Sequence, residues 1–501
     1  MSIQLKEGDG MMLMKDVLKQ HAEELGDYQA IVYHDIEWTY RTFYNEVTCL
    51  AGYLQSLPLQ KGDFVGLLME NTDQFPIAYF AIQFAGYVVM PINTKLAPPE
   101  IAYILNHSEV KVLIMDEVFQ ETYEKTEYIC QQVIMTNDLH NLALMAPQCR
   151  DVTMNPSDVA VILYTSGTTG HPKGVMLTHQ NIYMTAELWS EPMELTSEDR
   201  LFICTPLFHS AGAHVFMVPC FYVGATLIIE KAFSPKQIMQ QLSDTKATFF
   251  FGVPAMYTLI LNHDLDESHD VSSLRLFGYG AAPMPYELIR RLKEAFPNVK
   301  VQNFYGQTEN SPAATTLLDE DALTKVGSVG RPLAHTEIRI DDGAGGALPN
   351  GYVGEIVVKG PQLMKGYLKN PDETMMALRD GWLYTGDLGR LDEDGYLYIV
   401  DRKKDMIIRS GENIYPIEIE EVLYQMPALF EAAVVGVPHP VYGEVPKAYV
   451  RVKEGNTVSE EEILAYCATQ LATYKLPYEI EFIDELPRNA SGKVLKHVLR
   501  H

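Results

Sequence analysis

The stretch LYTSGTTGHPKG, Leu163 to Gly174, decides how the chain around it is read. An apolar run, Ala160–Leu163, leads into five hydroxyl-bearing residues, Tyr164, Thr165, Ser166, Thr168 and Thr169. These are interrupted by Gly167, Gly170, Pro172 and Gly174, with one cation, Lys173. A strand that ends at Tyr164 and opens into such a loop has two physical readings. It is a solvated turn of small polar residues, or it is a cradle for an anion. In a cradle, glycines permit close backbone approach, and successive N–H groups and hydroxyls surround a phosphate. Five hydroxyls and a lysine between two apolar segments favour the phosphate. A Walker A loop is excluded, because Pro172 and Gly174 flank Lys173 and the Lys-Ser/Thr pair is missing.

Outward from this loop, short apolar β-branched or aromatic runs alternate with helical patterns. FVGLLM (64–69), KVLIM (111–115), AVIL (160–163), ATLII (225–229) and TFFFGV (248–253) read as buried strands. Thr42–Leu57 and Pro285–Ala295 read as amphipathic helices. The alternation predicts an α/β fold with mainly parallel sheets, arranged as two α/β subdomains. The most apolar stretch, Phe75 to Ile92, contains Gln83 and Gly86 and reaches Pro91. It reads as a buried helix entering a strand, so no integral membrane segment is expected.

Past residue 330 the texture changes. EIRI (337–340), GEIVVKG (354–360) and GYLYIV (395–400), separated by Gly, Asp and Asn turns, predict a barrel-like β subdomain. The charged segment DRKKDMIIRSGENIYP (401–416) follows. Then come helix 417–425, strand 431–437, strand 446–453, helix 459–471 and strand 479–483, a small α+β unit. The predicted organisation is a large N-terminal domain over 1–401, a hinge at 402–404 and a small mobile domain over 405–501.

Composition limits the function. The chain has 501 residues and a net charge of −27, from 66 acids against 39 bases. Nonspecific nucleic-acid binding needs a basic footprint and is not expected. An anionic ligand must be met by local Lys, Arg or backbone N–H groups. The six cysteines (49, 130, 149, 204, 220, 467) form neither a CxxC pair nor a Cys/His ligand spacing, so a reduced cytoplasmic protein without a zinc site is expected. The start, MSIQLKEGDG, has no basic segment leading into an apolar one, and no signal peptide is expected.

Single residues are less decisive. Asp387 lies in a Thr-Gly-Asp turn; a carboxylate there accepts from vicinal ribose hydroxyls, or merely caps the turn. Tyr305 stacks on a base or fills a core. His209, after Leu207–Phe208, is a buried structural histidine or lines a site. Lys493, in NASGKV, is an inert surface lysine or a cation presented by a small-residue loop.

Taken together, these segments resemble the signature motifs of the acyl-adenylate-forming ligases, the group of acyl-CoA synthetases, nonribosomal adenylation domains and luciferases. Beside LYTSGTTGHPKG, the chain carries PLFHSAG (206–212), GYGAAP (278–283), NFYGQTE (303–309), GWLYTGDLG (381–389), DRKKDMIIRSGENIYPIEIE (401–420) and LPRNASGKVLK (486–496), in the family's order over nearly its whole length. The resemblance implies an acid–thiol ligase working in two half-reactions, with ATP, Mg²⁺ and coenzyme A. A carboxylate attacks the α-phosphate to give acyl-AMP and pyrophosphate; a thiol then displaces AMP.

It also implies roles. Thr165, Ser166, Gly167, Thr168, Thr169, Gly170 and Lys173 would hold the β- and γ-phosphates. Gly280, Ala281, Ala282, Asn303, Tyr305 and Gly306 would lie on the adenine side, and Asp387 with Arg402 on the ribose. Thr308 would sit by the α-phosphate and Glu309 on the metal. Lys493 would bridge the substrate carboxylate and α-phosphate, and His209 would gate the meeting point. Lys404 would be the pivot, and Ser410, Gly411 and Glu412 would border the CoA path. Ser410 departs from the family's usual glycine, which would narrow that path.

The acyl pocket implied by the resemblance is small or apolar: His209, Ala211, Gly212, Ala213, Met217, Tyr279, Gly280, Gly306, Pro312 and Ala313. Tyr279 departs from the Gly or Ser common in relatives, and a ring there would either shorten or floor the acyl pocket or pack behind adenine. No Arg or Lys stands among these positions to pair a second carboxylate. A medium- or long-chain fatty acid is therefore the first expectation and a 4-coumarate-like aryl acid the second. Loading of a carrier protein's phosphopantetheine is a further alternative. A luciferase-like oxygenase and a catalytically silent nucleotide-binding protein fit less well, the latter because Lys493, Asp387, Glu309 and Lys173 are all present. The expected partners are thus small molecules, and the expected state is a monomer or homodimer.

Overall fold

The computed structural model describes residues 12–165, 172–262, 269–282, 284–403, 405–409, 412–488 and 494–500. Ser166, Gly167, Thr168, Thr169, Gly170, Lys404, Ser410, Gly411 and Lys493 lie outside the described residues.

Five of the apolar runs are strands, observed over Phe64–Leu68, Val112–Met115, Val159–Thr165, Thr226–Ile229 and Phe249–Gly252. The helical patterns form Tyr40–Leu54 and Tyr286–Ala295. In the first of these, Tyr40, Phe43, Val47, Leu50, Ala51 and Leu54 are buried at spacings of one helical face. Thr39 caps it by accepting from the Thr42 N–H at 3.2 Å. Phe75–Ile92 resolves into helix Gln74–Phe84 and strand Val88–Pro91, and among the described residues no helix is long and apolar enough to cross a membrane.

The first sheet has seven strands. Val159–Thr165, Val88–Pro91, Phe64–Leu68, Val112–Met115 and Gln132–Met135 run parallel in that order. Lys173–Thr178 then returns antiparallel beside Val159–Thr165, and Gly366–Tyr367 adds to its outer edge. In the second sheet, Thr226–Ile229, Arg200–Ile203, Phe249–Gly252, Leu276–Gly280 and Lys300–Tyr305 run parallel. The late strands expected as a barrel-like subdomain are antiparallel. They are hydrogen-bonded through Thr315–Leu317 to Lys300–Tyr305, and so extend the second sheet to fourteen strands. One core joins the two sheets through their shared helices; the rings of Phe43 and Phe221 stack there at 4.9 Å.

The C-terminal unit matches the predicted order. Helix Pro416–Tyr424 and helix Glu460–Ala468 pack on a five-stranded sheet containing Leu429–His439, Gly443–Val452 and Glu479–Phe482. Its own core, built on Ile407, Ile419, Leu423, Val434, Ala448 and Ile463, is separate from the main one.

The two units meet at Asp401, the penultimate residue of strand Leu397–Arg402. Its carboxyl accepts from the Arg402 N–H at 2.6 Å and from the Ile417 N–H, in the first turn of helix Pro416–Tyr424, at 3.3 Å. Lys496 reaches Glu420 of that helix at 2.8 Å, and Arg500 reaches Asp405 at 2.8 Å. Burial pushes the Asp401 carboxyl from 3.8 up to about 6, against the nearby charge of Lys496. A raised carboxyl means that, between the unfolded and folded values, the native state keeps a proton the unfolded chain has lost. This group's contribution to stability therefore falls as pH rises from about 4 to about 6 and is flat above that. Asp401→Asn is expected to remove that slope. Denaturant unfolding of both proteins at pH 4.5 and pH 6.5 checks it: the wild type should lose about 2 kcal/mol more than the variant between the two.

Candidate active site

The opening loop is carried by a hairpin. Thr165 pairs with Lys173 across strands Val159–Thr165 and Lys173–Thr178, so the two ends of the glycine-rich stretch stand side by side. Lys173 points to Glu373, with which its ammonium is paired, and lies 5.1 Å from the centre of the Tyr367 ring. The Tyr367 hydroxyl donates to Glu309 Oε1 at 3.0 Å. Lys173 and Glu309, 136 positions apart by number, thereby share one neighbour. Burial pushes the Glu309 carboxyl above its usual range, opposed by hydrogen bonds that include the one from Tyr367. Among the described residues no group of three or more His, Cys, Asp or Glu is arranged to hold a metal. A cation at Glu309 would take its other ligands from phosphate oxygens and water, which suits Mg²⁺ better than a transition metal.

Asp387 is engaged at both carboxylate oxygens. It is 5% exposed. Its Oδ2 accepts from the Tyr305 hydroxyl at 2.8 Å and from the Gln307 amide at 2.7 Å, and its Oδ1 lies 3.4 Å from Arg402 Nε. The register explains the last contact, since Asp387 and Arg402 are cross-strand partners in Trp382–Leu391 and Leu397–Arg402. Burial, with the charge of Asp387, pushes the Tyr305 phenol far above its ordinary value, so it remains a donor. Gln307 also donates to the Thr385 carbonyl at 3.0 Å. Sequence reasoning assigned Gln307 nothing, although it stands inside a quoted motif.

Thr308 is joined to the histidine motif by a 3.1 Å contact between its hydroxyl and that of Ser210. His209 is half-buried, and its Nδ1 accepts from the Ala211 N–H at 3.2 Å, which assigns the ring proton of the neutral form to Nε2. Ala211–Met217 is π-helical, a geometry that widens the backbone and recurs at ligand sites. Within it His214 is fully buried against Tyr79 at 2.9 Å, and burial with the nearby His209 pushes its pKa down to about 3.

Strands Leu276–Gly280 and Lys300–Tyr305 bring Gly280 beside Phe304 and Tyr279 beside Asn303. A side chain at Gly280 would begin 2.6 Å from the Phe304 carbonyl oxygen, and one at Gly306 only 2.2 Å from the Pro312 carbonyl carbon. Both positions are closed to any other residue without backbone movement. Ala281 adopts a left-handed φ of 64°, and Ala282 is exposed beside it. Asn303 is buried and its Oδ1 has no hydrogen-bond partner among the described residues.

Among the expected acyl-pocket residues, Tyr279 stands apart from Met217 and Ala213. Met217 and Ala213 pack with Phe249, Phe251 and Phe304 on one face of the second sheet. Tyr279 packs on the opposite face with Tyr257, Phe277 and Met284, because strand side chains alternate and Gly278 and Gly280 occupy the face toward Met217. A Cβ at Gly212 would meet the Pro206 carbonyl oxygen at 2.3 Å, so its bareness also serves a close backbone approach. Glu412 is exposed and pairs with Arg409 in the hairpin Ile407–Arg409/Glu412–Ile414, which flanks Ser410 and Gly411. Arg488 and Val494 form an antiparallel bridge at the base of the segment that includes Lys493.

Comparison with known proteins gives the family. The family model described as AMP-binding enzyme matches residues 18–368, and the AMP-binding enzyme C-terminal domain matches residues 418–493. A feruloyl-CoA synthase of Amycolatopsis sp is 38% identical over 462 residues, covering 92% of this chain and 93% of its own. The long-chain-fatty-acid–CoA ligase FadD13 of Mycobacterium tuberculosis is 37% identical over 473 residues, covering 93% of each. The solved o-succinylbenzoate CoA synthetase of Bacillus subtilis, in complex with its acyl-adenylate, superposes with a TM-score of 0.88 at 33% identity over 97% of this chain and 98% of that one. The same enzyme with ATP and a magnesium ion gives 0.87 at 33% identity over 96% and 98%.

Proposed function

Because the chain belongs to the AMP-binding enzyme family and is an AMP-forming acid–thiol ligase that uses ATP, we propose that it converts a medium- or long-chain fatty acid, through its acyl-AMP, to the acyl-CoA. The cluster on Asp387 carries the nucleotide half of this reading. A buried carboxylate fixed by Tyr305, Gln307 and Arg402 is preset to accept from two vicinal ribose hydroxyls. The buried, unpartnered Asn303 Oδ1 is an acceptor of the kind an adenine amino group satisfies.

In the first half-reaction the substrate carboxylate, already ionised at neutral pH, attacks the α-phosphorus and pyrophosphate leaves. Thr308, held by Ser210, and Lys493 attend the α-phosphate, while Lys173 and the glycine-rich loop hold the departing phosphates. Glu309 would hold Mg²⁺, which when bound supplies positive charge to the phosphate oxygens. In the second half-reaction the CoA thiol attacks the acyl carbonyl and AMP leaves, with His209 at the meeting point. Rotation about the hinge at 402–404 withdraws Lys493 and brings in the segment around Gly411.

The acid is assigned on the small residues near His209 and on the glycines at 280 and 306, with no Lys or Arg among them. A second carboxylate, such as that of succinylbenzoate, would have no partner there. The aryl reading stays alongside it on a specific observation, the 38% identity to a feruloyl-CoA synthase. Pyrophosphate release measured across alkyl and aryl acids, with and without CoA, tests both. Turnover of C8–C16 acids above cinnamates supports the assignment, and the reverse order replaces it with the aryl ligase. Pyrophosphate release with any acid but no thioester with CoA would transfer the second step to a carrier protein. A soluble cytoplasmic enzyme acting as monomer or homodimer completes the proposal.

Gly411→Leu tests the second half separately. A branched side chain in the path of the pantetheine arm is expected to slow thioester formation from supplied acyl-AMP about a hundredfold, by loss of close approach. Acyl-AMP formation, trapped with hydroxylamine, should stay within about twofold of wild type.

A further inference from the structure

Lys173 is already engaged by described neighbours. Its ammonium is held by Glu373, with the two side chains only 12% and 21% exposed, and it sits beside the Tyr367 ring. The chain Glu373–Lys173–Tyr367–Glu309 therefore connects the cation expected on the outer phosphates with the carboxylate expected on the metal.

The delivery of Glu373 is built into the fold. Strand Gly366–Tyr367 pairs with Lys173–Thr178, placing Tyr367 opposite Val175. The Tyr367 N–H donates to the Thr374 hydroxyl at 2.9 Å, and that hydroxyl donates to the Asn370 carbonyl at 2.8 Å. The Asn370 side chain accepts from the Glu373 N–H at 3.2 Å and caps helix Pro371–Ala377. The helix is thus strapped to the strand beside Lys173, and the carboxylate on its first turn meets the ammonium.

We propose that Glu373 is a positioning residue that competes with pyrophosphate for Lys173. An ammonium has three donors and a mobile stem, so it can leave one carboxylate for a more highly charged acceptor. A seated triphosphate draws Lys173 off Glu373. Once the bond between the α-phosphorus and the β-phosphate bridging oxygen is broken, pyrophosphate has lost its tether to the nucleotide, and Glu373 recaptures the ammonium. The exchange lowers the affinity for free pyrophosphate and hastens its release, which often limits turnover. It leaves AMP untouched, since AMP has neither of the phosphates involved. The proposal rests on the reading of Lys173 as a phosphate ligand.

The test uses the full-length enzyme, with magnesium pyrophosphate as the probe and AMP as the control. In Glu373→Gln, pyrophosphate inhibition against ATP is expected to tighten about tenfold, as befits loss of a shielded charge-assisted competitor. The KM for ATP should fall several-fold, while inhibition by AMP and the melting temperature stay close to wild type. In a Lys173→Met background the same Glu373→Gln change should have no further effect on pyrophosphate, because the competition needs the lysine. An unchanged pyrophosphate constant in Glu373→Gln overturns the proposal. So does an effect that persists without Lys173, which would be long-range charge alone, and so does an equal shift for AMP, which would be a structural effect of the strap. If Lys173→Met by itself leaves pyrophosphate and ATP unaffected, the reading of Lys173 has failed and the proposal falls with it. If Lys173→Met weakens both and Glu373→Gln is silent, only the role of Glu373 is lost.

Discussion

Lys493→Ala is expected to reduce acyl-AMP formation about a thousandfold, the scale of removing one preorganised charge from a developing anionic transition state. Charge accumulates on the α-phosphate as the carboxylate approaches, and a single cation bridging both groups is stronger there than in the ground state. The base of its segment is anchored. Arg488 bridges to Val494, the Leu495 N–H donates to the Pro487 carbonyl at 2.8 Å, and Arg488 is ion-paired with the buried Glu431 of strand Leu429–His439. The described residues on either side of Lys493 are thus fixed to the sheet of the small domain. Thioester formation from supplied acyl-AMP should remain within about twofold of wild type, because in the proposed second half-reaction Lys493 is withdrawn and the charge that leaves with AMP is met without it. Single-turnover measurement of each half-reaction decides the matter, and equal loss in both would refute the assignment.

Asp387→Asn should behave differently, weakening both half-reactions. The substitution keeps size but places an amide among the Tyr305 hydroxyl, the Gln307 amide and the Arg402 guanidinium, all donors. A ribose would lose its charge-assisted acceptor, and one donor in the cluster would be left facing another. The expected result is a rise of about a hundredfold in the KM for ATP and in the dissociation constant of AMP, with pyrophosphate inhibition unaltered. Isothermal titration with AMP and with magnesium pyrophosphate separates these. A variant that binds AMP normally would remove Asp387 from the ribose.

The contrast between Lys493 and Asp387 also measures how far sequence reasoning reached. The strands were legible as continuous apolar runs, because parallel strands covered on both faces bury every side chain, and the helices were legible from a period of 3.6. The family was legible because seven motifs stand in order. Within the site, Asp387, Tyr305 and Arg402 were named from the motifs, and the structure brings them into one cluster. Gln307 was missed because an amide carries no signal until its acceptor is known.

The surroundings of Tyr279 were not legible either: alternation along Leu276–Gly280 sends its ring to the face opposite Met217, beside Asn303, and only the packing of the sheet decides what lies there.

The sequence by itself determined the order of elements, the family and the residue types the chemistry needs, since these depend on local periodicity and on motifs of a few residues. Only the tertiary structure decided which distant residues meet. Strand Gly366–Tyr367 adds to the edge beside Lys173–Thr178, and this brings Glu373 to Lys173 across 200 positions of chain. No local pattern encodes that meeting. It follows from sheet order, which is set by how the whole chain buries its apolar faces, and it places a carboxylate on the lysine of the loop LYTSGTTGHPKG.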